Sequence, residues 1–351
     1  MAEPNMSTQI SEQEIKQIRA QAHLHHAYLL GLQLMISTRK GPQVMEDWMF
    51  RLFRRQHEEK FLSSFEKLGL SSLPDAVACA QYHVLSNGIG GVGVEFMPET
   101  DRKAWVRFRY PRWMYHGPTI CGVPVEVSRG FLKGWYAQNG VSLKNPNLGF
   151  VCVSEDMTGE YGLCGYFKEY DEPLEPEQRL IFAKDEIPPP FDESCQPRPP
   201  EDQWNPLRLE KANRNYAVEY IRNGLCTLIQ VIGESETREL GGLAARLIGL
   251  QYFAETAEMI DARDGDINDA RIYLANMLNG MGDTVEVAAN KVLITHSELR
   301  ILRKFEATEH DVVLHCWTQL WVGTMQSQCV RKHLSIDAQG DSLSWSITPA
   351  I

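Results

Sequence analysis

The sequence predicts a mixed α+β protein with two similar halves, and three observations carry that prediction. Apolar residues recur at three and four positions near the start of each half, which indicates amphipathic helices. Runs of alternating apolar and polar residues follow in pairs around turn residues, which is typical of antiparallel hairpins. A proline-rich segment over 171–206 separates the halves. Each half is therefore expected to contain N-terminal helices followed by a hairpin, a helix and a second hairpin.

In the first half, turn and capping residues set the expected ends of the elements. Gly69 stands where a helix C-cap is expected, and Ser86-Asn87-Gly88 is expected to form a turn after the third helix. Pro124 suits the first turn of a helix, where its missing N–H costs nothing. The predicted elements are helices over 14–37, 43–68 and 73–85, strands over 92–95 and 104–110, a helix over 124–138, and strands over 148–154 and 163–170.

Residues 171–206 are predicted to connect the two halves. They hold nine of the chain's 18 prolines, and proline fixes φ and removes a backbone donor, so no regular element is expected. Ten acidic and three basic residues favour a solvated surface. Because Leu180 and Phe182 are apolar, we expect the connector to lie against a domain rather than to move freely. The predicted domains are 1–170, which carries the site, and 207–351.

The second half repeats the order of the first. Its predicted elements are helices over 207–232, 236–260 and 268–278, a hairpin over 284–293 and 298–305 around residues 294–297, a helix over 312–332, and a hairpin over 333–337 and 342–347. The strand segment 107–109 then corresponds to 299–301, and Cys121 corresponds to Cys316. We interpret this order as an internal duplication. The alternative is two unrelated α+β domains whose elements follow a common order.

Composition excludes several classes of protein. The formal net charge of −11 disfavours nucleic acid and anionic lipid surfaces as partners. The sequence has no long uncharged apolar stretch and no signal pattern at its start, so a cytoplasmic protein without a membrane partner is expected. The eight cysteines show no regular framework and are expected to be reduced thiols. Long helices and aromatic content permit a homodimer.

Familiar cofactor and metal motifs are absent or misplaced. Residues 88–93 satisfy G-x-G-x-x-G, but the segment leads into a predicted strand, whereas a dinucleotide site needs a helix there. No P-loop, hydrolase elbow, H-E-x-x-H or paired Glu-x-x-His occurs. Of the cluster 23–26, only His23 and His26 would share one helix face. The sequence therefore predicts neither a cofactor nor a metal.

The segment 107–121, with the sequence RFRYPRWMYHGPTIC, is the densest candidate site. Cys121 precedes the predicted helix start at Pro124, where a positive helix end would activate a thiol, and His116 could act as its base. Arg109 and Arg112 are candidates to hold a substrate carboxylate or developing negative charge. Three aromatic residues complete the predicted substrate-binding set: Trp113, Tyr115 and Trp135.

The order hairpin, cysteine-initiated helix, hairpin resembles the L-2-amino-thiazoline-4-carboxylic acid hydrolase family and, more remotely, small-molecule-binding domains of the vinyl-reductase type. The resemblance lies in His315-Cys316-Trp317 followed by LSIDAQGDSLSWSI, and in Ile120-Cys121 followed by LGFVCVSEDMTGEYGLCGYFKEY. The family's terminal hairpin has a cysteine after its glycine-containing turn, a position held by Cys164 in the first half and Ser344 in the second. The resemblance implies hydrolysis of a C–N bond in a small cyclic substrate by a cysteine.

Three functions remain open at this point. The first is a cysteine-assisted hydrolase of a non-peptide C–N bond in a small molecule, with Cys121 attacking. The second is a non-catalytic binding or sensor protein, with an aromatic pocket formed by Trp105, Trp113, Tyr115, Phe131 and Trp135. The third is a cofactor-assisted oxidoreductase or lyase.

Overall fold

The computed structural model describes residues 11–110, 116–156, 159–199, 205–288, 293–303, 307–339 and 342–350. The protein is a mixed α+β structure, 59% helical and 17% strand, with two sheets, which confirms the predicted class. The helices are α1 (Glu12–Lys40), α2 (Pro42–Lys67), α3 (Asp75–Ile89), α4 (Glu126–Gly134), α5 (Asn139–Leu143), α6 (Pro206–Ile232), α7 (Glu234–Met259), α8 (Ile267–Gly280) and α9 (Ala307–Ser327). The strands are β1 (Val94–Thr100), β2 (Lys103–Phe108), β3 (Leu148–Ser154), β4 (Cys164–Glu169), β5 (Leu180–Phe182), β6 (Thr284–Val287), β7 (Leu293–Ser297), β8 (Lys332–Gln339) and β9 (Ser342–Pro349).

The chain divides into two compact units. The first unit consists of Leu29–Asn205 and Arg222–Leu240. The second unit consists of Met1–Tyr28, Pro206–Ile221 and Gly241–Ile351. Helices α1, α6 and α7 therefore each contribute residues to both units. The sequence-based boundaries at 170 and 206 stay a prediction.

The two sheets share one strand order. The first unit has the order β1-β2-β4-β3-β5, and the second unit has β6-β7-β9-β8. In each sheet the second strands of two successive hairpins pair with each other, β2 with β4 in the first sheet and β7 with β9 in the second. These pairings and the pairings within the hairpins are antiparallel. Pro98 interrupts the ladder of β1 at a bulge, which an edge strand tolerates because no further strand needs its missing N–H. Each sheet thus combines two hairpins through their neighbouring strands.

The connector covers the outer face of the first sheet, the face opposite α3. Its strand β5 pairs in parallel with β3, from Phe150 opposite Leu180 to Cys152 opposite Phe182. On this face an apolar cluster includes Trp105, Val151 and Tyr166, against which Ala183 of the connector packs. The connector therefore lies against a domain as predicted, although β5 corrects the expectation that it has no regular element.

Polar side chains also tie the connector to the first sheet. Gln196 makes two hydrogen bonds to β1: its Nε2 donates to the Phe96 carbonyl at 2.8 Å, and its Oε1 accepts from the Phe96 amide at 2.9 Å. The Tyr166 hydroxyl donates to Glu186 at 2.8 Å. These bonds supplement the packing of the connector on the apolar cluster.

Two predicted turns lie inside regular elements instead. Residues 86–88 belong to the last turn of α3 rather than to a separate turn, and the Asn87 amide donates back to the His83 carbonyl at 2.7 Å. Residues 294–297 lie inside β7 instead of forming the hairpin turn, because His296 is buried against Asp283. The predicted strand over 298–305 is wrong in its described part, because Arg300–Leu302 forms a 3-10 turn, so segment 299–301 does not match the strand segment 107–109.

Candidate functional site

Cys121 ends a short 3-10 turn, Gly117–Cys121, and its side chain is exposed. The next residue, Gly122, has no Cβ, and a Cβ added there would lie only 3.1 Å from Leu34 Cδ2 on α1. The backbone after Cys121 therefore packs closely against α1. Helix α4 begins only at Glu126, after the N-cap Val125. The predicted helix start at Pro124 is therefore two residues early, and Cys121 stands outside the first turn of α4, where the helix dipole acts most strongly.

His116 precedes the same turn and is exposed. Its backbone is extended, with φ −59° and ψ 134°, and the turn that follows places Cys121 at its other end. None of the hydrogen bonds between described residues joins the His116 ring to the Cys121 thiol. The turn thus brings the predicted base and nucleophile into one short exposed segment without pairing them.

Arg109 has a carboxylate partner that the sequence analysis did not identify. Its guanidinium donates to Glu95, which lies 4% exposed on the neighbouring strand. Arg107 contacts the other oxygen of Glu95 at 2.6 Å. Two guanidinium groups therefore share one carboxylate, and the trio carries a net positive charge next to the candidate segment.

Trp135 lies in the core of the first unit rather than beside Cys121. Its ring packs at 5.6 Å from His57 and at 6.5 Å from Phe53, and it is 8% exposed. Trp105, in contrast, packs against Tyr166 on the outer face of the sheet at 4.5 Å. The described members of the proposed aromatic pocket therefore do not form one wall. Arg112, Trp113 and Tyr115 lie outside the described residues.

Two buried carboxylates bind side chains that precede and follow the 3-10 turn Gly117–Cys121. The Tyr110 hydroxyl donates to the carbonyl and the carboxylate of Asp156, at 2.7 and 3.1 Å, and the Ser128 hydroxyl donates to the same carboxylate. Arg129 donates to Glu155 at 2.8 Å. The sequence analysis named neither of these carboxylates, which directly follow β3.

A buried hydrogen-bonded chain crosses the core of the first unit. The His57 Nε2–H donates to Asn139 Oδ1 at 3.2 Å, and the Asn139 amide donates to His83 Nε2 at 2.9 Å. Arg54 lies 3.1 Å from His57 Nδ1. Burial, and then the Arg54 charge, lower the pKa of His57 to about 3, and burial holds the pKa of His83 well below its ordinary value. Both rings are therefore neutral at pH 7 and have a structural role.

Burial separates the cysteines into three groups, since five are buried, Cys195 is half-buried, and Cys121 and Cys329 are exposed. Burial raises the pKa of Cys152 and of Cys164 to about 12, and Cys316 is fully buried. Cys121 and Cys329 are the exposed thiols. Because the thiolate is the nucleophile, the buried thiols are poor candidates.

The part of the chain that the structure describes contains no group of three or more His, Cys, Asp or Glu side chains arranged to hold a metal ion. Among its helices, none combines the length and apolar character needed to cross a membrane. No protein-family model, curated protein or solved structure matches the chain.

Proposed function

We propose that the protein is a cysteine-assisted hydrolase acting on a C–N bond of a small cyclic molecule, with Cys121 as the nucleophile. The observation that carries this proposal is the contrast between Cys121 and Cys316, the two cysteines that the sequence analysis paired. Cys121 is exposed at the end of the 3-10 turn Gly117–Cys121, whereas Cys316 is fully buried inside α9. The resemblance to amino-thiazoline carboxylic acid hydrolases implies the same chemistry.

The proposed reaction has two steps with complementary proton transfers. His116 accepts the proton of the Cys121 thiol as sulfur attacks the carbon of the C–N bond, and the leaving nitrogen then takes that proton. Water attacks the resulting thioester or thioimidate and its proton returns to the departing thiolate. The attacked carbon is left as a carboxyl group when the substrate is a lactam, and as an amide-type carbonyl group when it is a thiazoline or a cyclic amidine. The positive trio of Arg107, Arg109 and Glu95 would orient a carboxylate on the substrate.

We further propose that the two halves arose by internal duplication. The connection between the first two helices of each half contains a glycine with positive φ, 86° at Gly41 and 83° at Gly233. The second helix of each half ends at another positive-φ residue, Gly69 or Asp261, at the same spacing from that glycine. The shared strand order supports the same origin. In this proposal the thiol of Cys121 is exposed in the first copy, whereas its counterpart Cys316 is buried in the second.

The test is selective loss of turnover at Cys121. Purified protein is assayed with small lactams, thiazolines and cyclic amidines that carry a carboxylate, before and after iodoacetamide labelling mapped by mass spectrometry. Cys121→Ser should lower kcat/KM by about 100-fold or more, as expected for loss of a nucleophile. The matched control is Cys329→Ser, which removes the other exposed thiol and should leave turnover unchanged.

Full activity of Cys121→Ser would refute the proposed nucleophile. If the substrates bind, no turnover occurs and binding survives labelling, the result favours the binding-protein alternative instead. A homodimer and a cytoplasmic location belong to the same proposal, and light scattering of the purified protein tests the former.

A further inference from the structure

The second unit contains an open groove between the end of α9 and the start of β8, with a volume of about 490 Å³. Val322, Met325 and Leu334 form its apolar part, and Arg331, Lys332 and His333 supply polar groups. A volume of this size is in the range of small-molecule sites, which combine an apolar wall with a few polar groups. We call this feature the α9–β8 groove.

Gln328 gives the α9–β8 groove an unusual polar feature. The residue lines the groove, is 8% exposed, and neither its Nε2 nor its Oε1 has a hydrogen-bond partner among the described residues. A buried amide without partners is unfavourable, because it has lost water without gaining another bond. At the lining of the groove, this amide can offer a donor and an acceptor side by side.

The charges around the α9–β8 groove favour a ligand with one negative charge. Arg331 is exposed, and Lys332 is half-buried with its Nζ donating to the Val330 carbonyl at 2.9 Å. Among the described residues, the carboxylate of Asp264 opposes them and accepts from the Cys329 amide at 3.0 Å. The C-terminal end of α9 adds a partial negative charge of about half an elementary charge. Two cations still outweigh these negative charges.

We propose that the α9–β8 groove binds a small carboxylate that also presents an adjacent N–H and C=O, such as a cyclic amide or imide. The carboxylate lies against Arg331 and Lys332, and the amide edge pairs with both polar atoms of Gln328. The apolar wall takes the face of the ring. The site lies within the second unit and does not depend on the chemistry proposed for Cys121.

Calorimetric titration with three ring compounds tests this proposal. Orotate carries both a cyclic imide and a carboxylate, uracil carries only the imide, and benzoate carries only the carboxylate. We expect saturable binding of orotate and at least about tenfold weaker binding of the other two, a difference of about 1.4 kcal/mol. Equal binding of orotate and benzoate, or no binding of orotate, would overturn the proposal.

Variants assign the contacts. Gln328→Leu should weaken orotate binding by about tenfold or more and leave the weaker benzoate binding unchanged. Arg331→Ala, at an exposed position that folding should tolerate, should weaken orotate and benzoate alike. Gln251→Leu is the matched control, because Gln251 is exposed on α7 and does not line the groove. If Gln328→Leu binds orotate as well as the Gln251→Leu control does, Gln328 is not part of a ligand site.

Discussion

The outer faces of the two sheets differ although their strand orders agree. In the first sheet this face carries Trp105, Val151 and Tyr166, and the connector packs on it. In the second sheet the face opposite the buried Trp345 carries Thr295, Ser344 and Ser346. Apolar side chains on a sheet face require a cover, whereas short hydroxyl side chains can face water. One topology is therefore compatible with a covered and with an open sheet, and the outward residues of each strand decide between them.

The core sides of the two units are more alike, since both contain neutral buried histidines. Burial lowers the pKa of His25 in the second unit to about 4, and that of His57 in the first to about 3. In the unfolded chain both would titrate near 6.5, so below that pH the unfolded state binds more protons than the folded state. The stability that the neutral rings contribute is therefore complete above about pH 6.5 and is lost as the pH falls toward these folded values.

The largest expected effect is acid destabilisation of both units. Each of the two histidines contributes a loss of up to about 1.4 kcal/mol per pH unit between about pH 6.5 and its folded pKa. Urea unfolding at a series of pH values should show a free energy of unfolding that decreases steadily from about pH 6.5 to about pH 4. His57→Phe should reduce the slope of the free energy of unfolding against pH by the contribution of about one bound proton. A stability that does not change over this range would contradict the neutral buried state of both rings.

The next largest expected effect is a difference in lost stability between variants on the two outer sheet faces. Trp105→Ala, which removes a 2% exposed side chain from the covered face, should lower the free energy of unfolding by about 3–5 kcal/mol. It should also make the connector more sensitive to limited proteolysis. Thr295→Ala, at the second strand of the open face, is the matched control and should cost about 1 kcal/mol or less. Equal losses in urea titrations would show that the two faces do not differ in the way described.

The smallest expected effect is the loss of stability when the connector's hydrogen bonds to β1 are removed. Gln196→Ala removes both bonds to Phe96 and should cost about 1–2 kcal/mol. Amide hydrogen exchange should then become faster at Phe96 and in the connector, while the second sheet stays unchanged. Unaltered exchange at the Phe96 amide would mean that packing alone, without these two bonds, holds the connector.

The sequence predicted the order of helices and hairpins well because hydrophobic periodicity is a local signal. It failed at β7, where His296 occupies an inward position that a hydrophobic pattern does not reveal. It also could not foresee that Glu95 neutralises part of the charge of Arg109, because this contact depends on the register of β1 and β2. The chain from His57 through Asn139 to His83 joins residues far apart in the sequence, and no spacing signals it.

The polarity of the hydrogen-bonded chain in the first unit also fixes the tautomers of its rings. With Arg54 donating to Nδ1, His57 carries its proton on Nε2, and His83, which accepts at Nε2, carries its proton on Nδ1. Imidazole protons held in this way exchange slowly with solvent. The nitrogen NMR spectrum of the two imidazole rings would therefore report whether this core is intact.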